Sequence, residues 1–185
     1  MRVAYRYIRP LNVVYARGRG PYETAAREAW LALSRWAEQH QARRLIKRGL
    51  GVFHDSPRTT APDLLRYDAC IELIPRLDVE LGPGLGRQML HGGSYAVHTH
   101  VGAYAPLGEL FSSLHREWAP KQGLAVDYDR PFVAIYLNDP LVTREVHRRT
   151  EVCIPVLPVR AALSADGDGP GITPAFQSPC KALAG

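Results

Sequence analysis

The chain has 185 residues, of which 46% are hydrophobic and 22% are charged, a balance typical of a folded globular protein and not of a disordered one. Lysines and arginines outnumber the acidic residues by 23 to 18, so the formal net charge is +5, which permits a nucleic-acid partner but does not indicate one. The 3 cysteines lie far apart without a Cys-x-x-Cys pair, and no stretch resembles a signal peptide or a membrane span, so we expect a cytoplasmic protein without membrane association.

The first predicted helix begins after Gly20-Pro21, since proline suits the first position of a helix, where its missing N–H has no intrahelical partner. Apolar residues then recur at steps of three and four, which predicts an amphipathic helix packed on a sheet. This stripe consists of Tyr22, Ala26, Ala29, Leu33 and Trp36. Strands are predicted at Gly51 to Phe53 and from Tyr67 to Ile74, where apolar and β-branched residues are enriched.

A glycine-rich segment over residues 78–86 predicts a linker, with the boundary between two halves near Gly84. The second half repeats the pattern of the first. Its predicted strands run from Tyr95 to Val101, Phe132 to Leu137 and Val152 to Val156, and its predicted helix carries Leu107, Leu110, Phe111, Leu114 and Trp118. Residues 161–185 are crowded with Gly, Pro, Asp and Ser, which predicts a flexible tail.

The two halves share an internal repeat. Gly20-Pro21-Tyr22 matches Gly102-Ala103-Tyr104 at an offset of 82, and Asp68-Ala69-Cys70 matches Glu151-Val152-Cys153 at an offset of 83. The repeat predicts an α+β fold of tandem strand-helix-strand-strand units, with half-domains of about 3–77 and 88–158. We expect pseudo-two-fold symmetry around a central ligand groove.

A set of short motifs in a fixed order resembles the GyrI-like family, the effector-binding domain of AraC-type and MerR-type bacterial regulators. The motifs are Gly20-Pro21-Tyr22, Asp55-Ser56-Pro57, residues 66–70, 92–97 and 118–120, Tyr136-Leu137-Asn138-Asp139 and residues 151–155. The resemblance implies one GyrI-like domain over 1–160 that binds hydrophobic, often aromatic and cationic compounds between its halves. Because no DNA-binding motif accompanies it, we expect a stand-alone form without direct DNA binding.

The resemblance also assigns an acidic pocket residue to the position of Glu151 on the last strand. Strand alternation sends Thr150, Val152 and Ile154 toward the helix and Glu151 to the other face, so we expect its carboxylate to line the groove without a fixed partner. The alternative is that Glu151 merely lies on a solvated face of the strand. A delocalised organic cation would supply the missing counter-charge. Aromatic faces that attract cations complete the predicted ligand site. These are Tyr136, Phe53, Tyr67, Tyr104 and Trp118, with a plain core role as the alternative for Trp118.

Three further polar residues have two interpretations each. Asp68, the counterpart of Glu151 in the first half, is either a second groove carboxylate or a structural hydrogen-bonding residue. His98 and His100 lie two residues apart on one strand and therefore share a face, as a metal pair would, but no third ligand is near in sequence. We expect neither a metal nor a cofactor.

Two functions follow from these expectations. The first is a binding protein that sequesters toxic compounds or modulates a protein partner such as DNA gyrase. The alternative is a hydrolase that inactivates electrophilic genotoxic compounds, with Glu151 as general base and Tyr136 as proton donor. The sequence leaves both open.

Overall fold

A computed structural model describes residues 1–73 and 80–159, and the predicted tail, the end of the first half-domain and part of the linker lie outside these residues. Within the described residues, strands alternate with two main helical segments. In chain order the elements are β1 (Val3–Ile8), β2 (Leu11–Arg19), α1 (Tyr22–Gln39), β3 (Ile46–Phe53), β4 (Arg66–Leu73), β5 (Leu85–Leu90), β6 (Gly93–Val101), α2 (Leu107–Ser113), α3 (Ala119–Lys121), β7 (Leu124–Val126), β8 (Phe132–Tyr136) and β9 (Arg149–Pro158).

The strands form a sheet in the order β1-β6-β9-β8-β3-β4-β2-β5, and short β7 pairs with β9. All pairs are antiparallel, which confirms the predicted α+β class. Each edge strand pairs with a strand of the other half, β1 with β6 and β5 with β2, while β3 and β8 join the halves at the centre. Strands β1, β5 and β7 were not predicted from the sequence.

Helix α1 packs on one face of the sheet, called here the helix face. Ala29, Leu33 and Trp36 of the predicted stripe are buried, and Tyr22 and Ala26 are partly buried against the same core, which confirms the face that packs on the sheet. The structure adds two buried residues, Ala25 and Ala37. Small residues bring the helix close to the sheet, because a Cβ added at Gly18 of β2 would collide with the backbone of Ala25.

The second helical segment packs beside α1 on the same face, with Leu107, Phe111 and Leu114 buried against β6, β8 and β9. This confirms the second stripe but not one regular helix, because a π-helical turn over Leu114–Trp118 separates α2 from α3. Pro120 follows this turn and has no N–H to donate to the carbonyl four residues earlier.

The opposite face of the sheet carries a second apolar layer. Its buried residues include Leu50, Val52, Cys70, Ile135 and Cys153. The partly buried Ile8, Leu11 and Leu90 pack against this layer. The cavity between them and the layer has a volume of about 20 Å³, which is too small for an organic ligand. Within residues 1–73 and 80–159, the helices lack the combination of length and apolar composition that a membrane-spanning helix requires.

Candidate functional site: an aromatic groove on the helix face

Aromatic side chains from both halves meet on the helix face above the central strands β3 and β8. We call this set the aromatic groove. It consists of Tyr22 and Trp30 of α1, Phe53 of β3, Tyr67 of β4, Tyr104 before α2, Phe111 of α2, and Phe132 and Tyr136 of β8.

Ring contacts connect the groove across the junction between the halves. Phe53 of the first half lies 5.1 Å from Phe111 of the second, and Trp30 lies 5.6 Å from Tyr136, as distances between ring centroids. The Tyr104 ring lies 5.3 Å from that of Tyr136. Most of these rings meet edge to face, the arrangement that aromatic quadrupoles favour.

The groove is accessible at its surface but is not an open cavity. Tyr67 and Phe111 are buried, whereas the other six rings are only half-buried. A ligand must therefore insert among the rings or move them. A separate surface depression of about 500 Å³ lies between β2 and α1, lined by Arg17, Glu28 and Gly84 among others, and thus away from the junction.

A chain of hydrogen bonds runs beneath the rings. The indole N–H of Trp30 donates to the hydroxyl of Tyr67 at 2.9 Å, and the hydroxyls of Tyr67 and Tyr136 lie 3.3 Å apart. Two glycines of β3 make room for this chain. A Cβ at Gly51 would lie 2.9 Å from the Tyr136 hydroxyl, and one at Gly49 would lie 3.0 Å from the Trp30 ring.

Burial raises the pKa of the groove tyrosines further above physiological pH. It raises the pKa of Tyr136 to about 12 and the pKa of Tyr67 well above its ordinary value, and it also raises that of Tyr104. These hydroxyls are therefore neutral at physiological pH, and each keeps a proton that it can donate.

Glu151 lies outside the aromatic groove. As predicted, Val152 and Ile154 pack on the helix face and Glu151 lies on the opposite face. The expectation of an unpartnered carboxylate is wrong, because Arg6 of β1 lies 2.7 Å from Glu151 and the Glu151 side chain is 14% exposed. Arg6 reaches it because β1 is inserted at the edge of the second half, beside β6.

Glu151 and Tyr136 are also on different faces of the sheet, which corrects the expectation that they line one site. In the register of β8 and β9, Ile135 is opposite Glu151 and Tyr136 is opposite Thr150. Successive residues of a strand point to opposite faces, so the predicted general base and proton donor do not meet.

Asp68 has the second of the two roles considered from the sequence, that of a structural hydrogen-bonding residue. Its side chain has no exposed surface. Its carboxylate accepts two hydrogen bonds from Arg17, at 2.6 and 2.8 Å, one from His54 at 2.7 Å and one from Gln88 at 3.1 Å. Burial alone would raise the pKa of this carboxyl, but the hydrogen bonds from Arg17, His54 and Gln88 outweigh burial and lower it strongly. Asp68 therefore contributes a satisfied buried charge on the opposite face.

The remaining candidates are placed as follows. Trp118 packs against the core under α2 but makes no ring contact with the groove among the described residues. A ring nitrogen of His98 lies 2.8 Å from the carbonyl of Arg2, and one of His100 lies 2.8 Å from that of Ala103. The part of the chain that the structure describes contains no cluster of three metal-ligating residues.

Sequence reasoning missed four rings of the groove and the two glycines of β3. The rings are those of Tyr22, Trp30, Phe111 and Phe132. Trp30 follows Ala26 by four residues and precedes Leu33 by three, so its place at the margin of the apolar stripe could have been read from the spacing. The signal for Gly51 was glycine within a predicted strand, which often marks close approach of another group. Gly49 lies just before that predicted strand and carried no such signal.

The chain is similar to a curated bacterial protein and to several solved structures. It is 34% identical over 109 residues to the probable transcriptional regulator YgiV of Escherichia coli K12, a match that spans 57% of this chain and 65% of YgiV. It covers 58% of the EcmrR chain seen in a DNA complex, with a TM-score of 0.66 at 14% identity and 85% of this chain aligned.

Two further structures share the fold at comparable similarity. SAV2435 bound to tetraphenylphosphonium gives a TM-score of 0.59 at 14% identity, over 87% of this chain and 97% of that one. A hydrolase from Listeria innocua gives a TM-score of 0.56 at 15% identity, over 84% of this chain and 92% of the hydrolase chain.

The sequence model of the GyrI-like small molecule binding domain matches residues 1–157, which covers nearly all of the described chain. The resemblance first recognised from the short motifs is thereby confirmed, and the chain belongs to the GyrI-like small molecule binding domain family.

Proposed function

We propose that this protein binds lipophilic aromatic small molecules in the aromatic groove. The observation that carries the proposal is the row of six half-buried rings that crosses the junction of the halves. Aromatic rings that gather in a partly accessible groove are a common form of a small-molecule site. The ligand-bound SAV2435 neighbour supports a small-molecule partner for this fold.

The rings suit planar or propeller-shaped aromatic ligands. Aromatic side chains bury a large area with few rotatable bonds, so contact with a ligand ring costs little side-chain entropy. Of the residues predicted for ligand binding, Tyr136, Phe53, Tyr67 and Tyr104 form part of the proposed site. Glu151 and Trp118 are left outside it.

The groove favours binding over hydrolysis. A general base must lie within hydrogen-bonding reach of the proton that it removes. Glu151 is held by Arg6 on the opposite face, away from Tyr136. The physiological role that we propose is sequestration of aromatic compounds, and a role with a protein partner such as DNA gyrase would require a surface in addition to this groove.

We also propose that the two halves are related by a pseudo-two-fold axis between β3 and β8. The strand order supports it. If β1 is exchanged with β5, β2 with β6, β3 with β8 and β4 with β9, the result is the same strand order read from the other edge of the sheet. The ring contact of Tyr22 with Phe53 has its counterpart in that of Tyr104 with Tyr136. Such an axis would pass through the aromatic groove.

Fluorescence anisotropy with a neutral dye, Nile red, and a cationic dye, rhodamine 6G, tests the binding proposal. We expect at least one dye to bind with a dissociation constant of about micromolar, which corresponds to roughly −8 kcal/mol. Tyr136→Ala removes a ring that contacts both Trp30 and Tyr104 and should weaken binding at least about tenfold.

Glu151→Gln is the matched control, because it removes a charge on the opposite face and should leave dye affinity unchanged. If neither dye binds, the proposed function is wrong. If Tyr136→Ala binds as well as the wild type, or if Glu151→Gln abolishes binding, the ligand site lies elsewhere.

A further inference from the structure

The hydrogen-bond chain under the groove ends in a proton without an acceptor. Trp30 has only a donor, so it donates to the Tyr67 oxygen. The hydroxyls of Tyr67 and Tyr136 lie 3.3 Å apart and either can donate to the other, so this contact uses only one of their two protons. No acceptor for the second proton is found among residues 1–73 and 80–159. Because Tyr67 is buried and Tyr136 is only half-buried, we assign the free proton to Tyr136, where a ligand can reach it.

A second hydroxyl beside Tyr136 has no partner. Thr150 lies opposite Tyr136 in the register of β8 and β9, on the same face of the sheet. Its side chain has no exposed surface, and its Oγ1 makes no hydrogen bond within the described residues. A buried hydroxyl without a partner costs about 1–3 kcal/mol, so it is uncommon unless another molecule completes it.

The charges around the groove do not favour a cation. The guanidinium of Arg148 lies 5.1 Å from the centre of the Tyr104 ring and already occupies one aromatic face. Asp55 and Asp139 act electrostatically on Tyr22 and Tyr104. The Asp55 carboxylate is bound to Arg66, and that of Asp139 accepts the N–H of Leu141.

None of the groove hydroxyls is hydrogen-bonded to a carboxylate in the described part of the chain. The carboxylates of Asp68 and Glu151 lie on the opposite face and are held by Arg17 and Arg6. An organic cation entering the groove would gain the attraction of the ring faces, but it would lose hydration without gaining a direct counter-charge.

We infer that the groove selects neutral aromatic compounds with an acceptor oxygen, such as a carbonyl or phosphoryl group, over lipophilic cations of the same size. This inference rests on the proposed function. The ligand oxygen accepts the free proton of Tyr136 and lies close to Thr150, while the rings hold the aromatic part. A phenol is a good donor to such oxygens, and a ligand that lacks the oxygen leaves the donor unpaired.

Three probes of similar shape separate charge from acceptor strength. Triphenylphosphine oxide is neutral with a strong acceptor, methyltriphenylphosphonium is a cation, and triphenylmethane is neutral without an acceptor. Equilibrium dialysis of the full chain should show the oxide binding about tenfold more tightly than either of the others, which is the effect of one well-formed hydrogen bond.

Tyr136→Phe keeps the ring and removes the hydroxyl. It should weaken binding of the oxide about five- to tenfold and leave triphenylmethane binding unchanged. Tyr7→Phe is the control, because Tyr7 is an exposed tyrosine on β1 outside the groove. If Tyr136→Phe does not fold, the ranking of the three probes by the wild type decides alone.

Binding of the phosphonium as tightly as the oxide would overturn this inference and leave the proposed function standing. The same holds if all three probes fail although Nile red or rhodamine 6G binds in the groove. Failure of both dyes would instead overturn the proposed function, and this inference falls with it.

Discussion

Asp68 is a negative charge without exposed surface, and its neighbours show why the fold tolerates it. Arg17, His54 and Gln88 all donate to its two oxygens. A buried ion pair adds little net stability over an apolar substitute, but removal of one partner leaves the other desolvated and unpaired. The hydrogen bonds to Asp68 therefore matter most when they are broken.

Acid should weaken the fold through Asp68. The pKa of this carboxyl is lower in the folded chain than the value of about 3.9 expected in the unfolded chain. The contribution of Asp68 to the free energy of unfolding is thus fully present above about pH 4. It is lost progressively as the pH falls from there toward the pKa of the carboxyl in the folded chain. Urea unfolding between pH 2.5 and 7 should show this loss.

Asp68→Asn should lower the free energy of unfolding at pH 7 by about 2–3 kcal/mol and flatten the dependence on pH below about pH 4. Asp63→Asn, at an exposed position, should behave as the wild type. An acid slope that is unchanged in Asp68→Asn would show that other carboxylates carry it.

The sequence predicted on which face of the sheet a side chain lies, but not which residue it pairs with there. Alternation placed Glu151 on the correct face. Its partner Arg6 comes from the other end of the chain on β1, a short edge strand whose tyrosines and arginine are exposed and give no clear apolar alternation. An unpaired groove carboxylate was therefore the wrong expectation.

At the scale of elements, the apolar stripes of the helices and the central strands were predictable because one of their faces is buried against a core. β1, β5 and β7 are edge or short strands with few buried residues, so burial leaves little pattern in their sequences. The π-helical turn before α3 is also too short to show an apolar periodicity from which it could be predicted.

Strand β3 shows how one element shapes the groove. Leu50 and Val52 fill the opposite face, while Gly49 and Gly51 leave space on the helix face for Trp30 and for the two tyrosine hydroxyls. Gly51→Ala should therefore displace these hydroxyls, lower the free energy of unfolding by about 1–3 kcal/mol and weaken dye binding.

Gly108→Ala is the matched control for this strand substitution. Gly108 lies in α2, where an added Cβ meets nothing within 4 Å, so alanine should raise stability by about 0.5–1 kcal/mol and leave binding unchanged. Chemical denaturation and dye anisotropy on both variants check the pair. Wild-type stability and binding in Gly51→Ala would mean that the hydroxyl chain tolerates a methyl group.

At the scale of the whole molecule, the exchanged edge strands bind the two halves together. β1 of the first half completes the sheet beside β6, and β5 of the second half completes it beside β2. A half-domain alone would lose its edge partner as well as the central pairing of β3 with β8. The repeat in the sequence predicted two similar units, but offsets between matching residues carry no information on which strands pair.

This exchange predicts that residues 1–159 unfold in one cooperative step. Leu33→Ala acts in the core under α1 and Leu114→Ala in the core under the second helical segment. Both leucines are fully buried, so each substitution should lower the free energy of unfolding by about 2–5 kcal/mol.

Tryptophan fluorescence and far-UV circular dichroism, followed together in urea, should give coincident transitions that either substitution moves as a whole. Trp30 and Trp36 lie in α1 of the first half and Trp118 lies in the second half, so fluorescence reports on both. If Leu114→Ala split the fluorescence transition into two steps, or separated it from the dichroism curve, the halves would be independent folding units despite their shared strands.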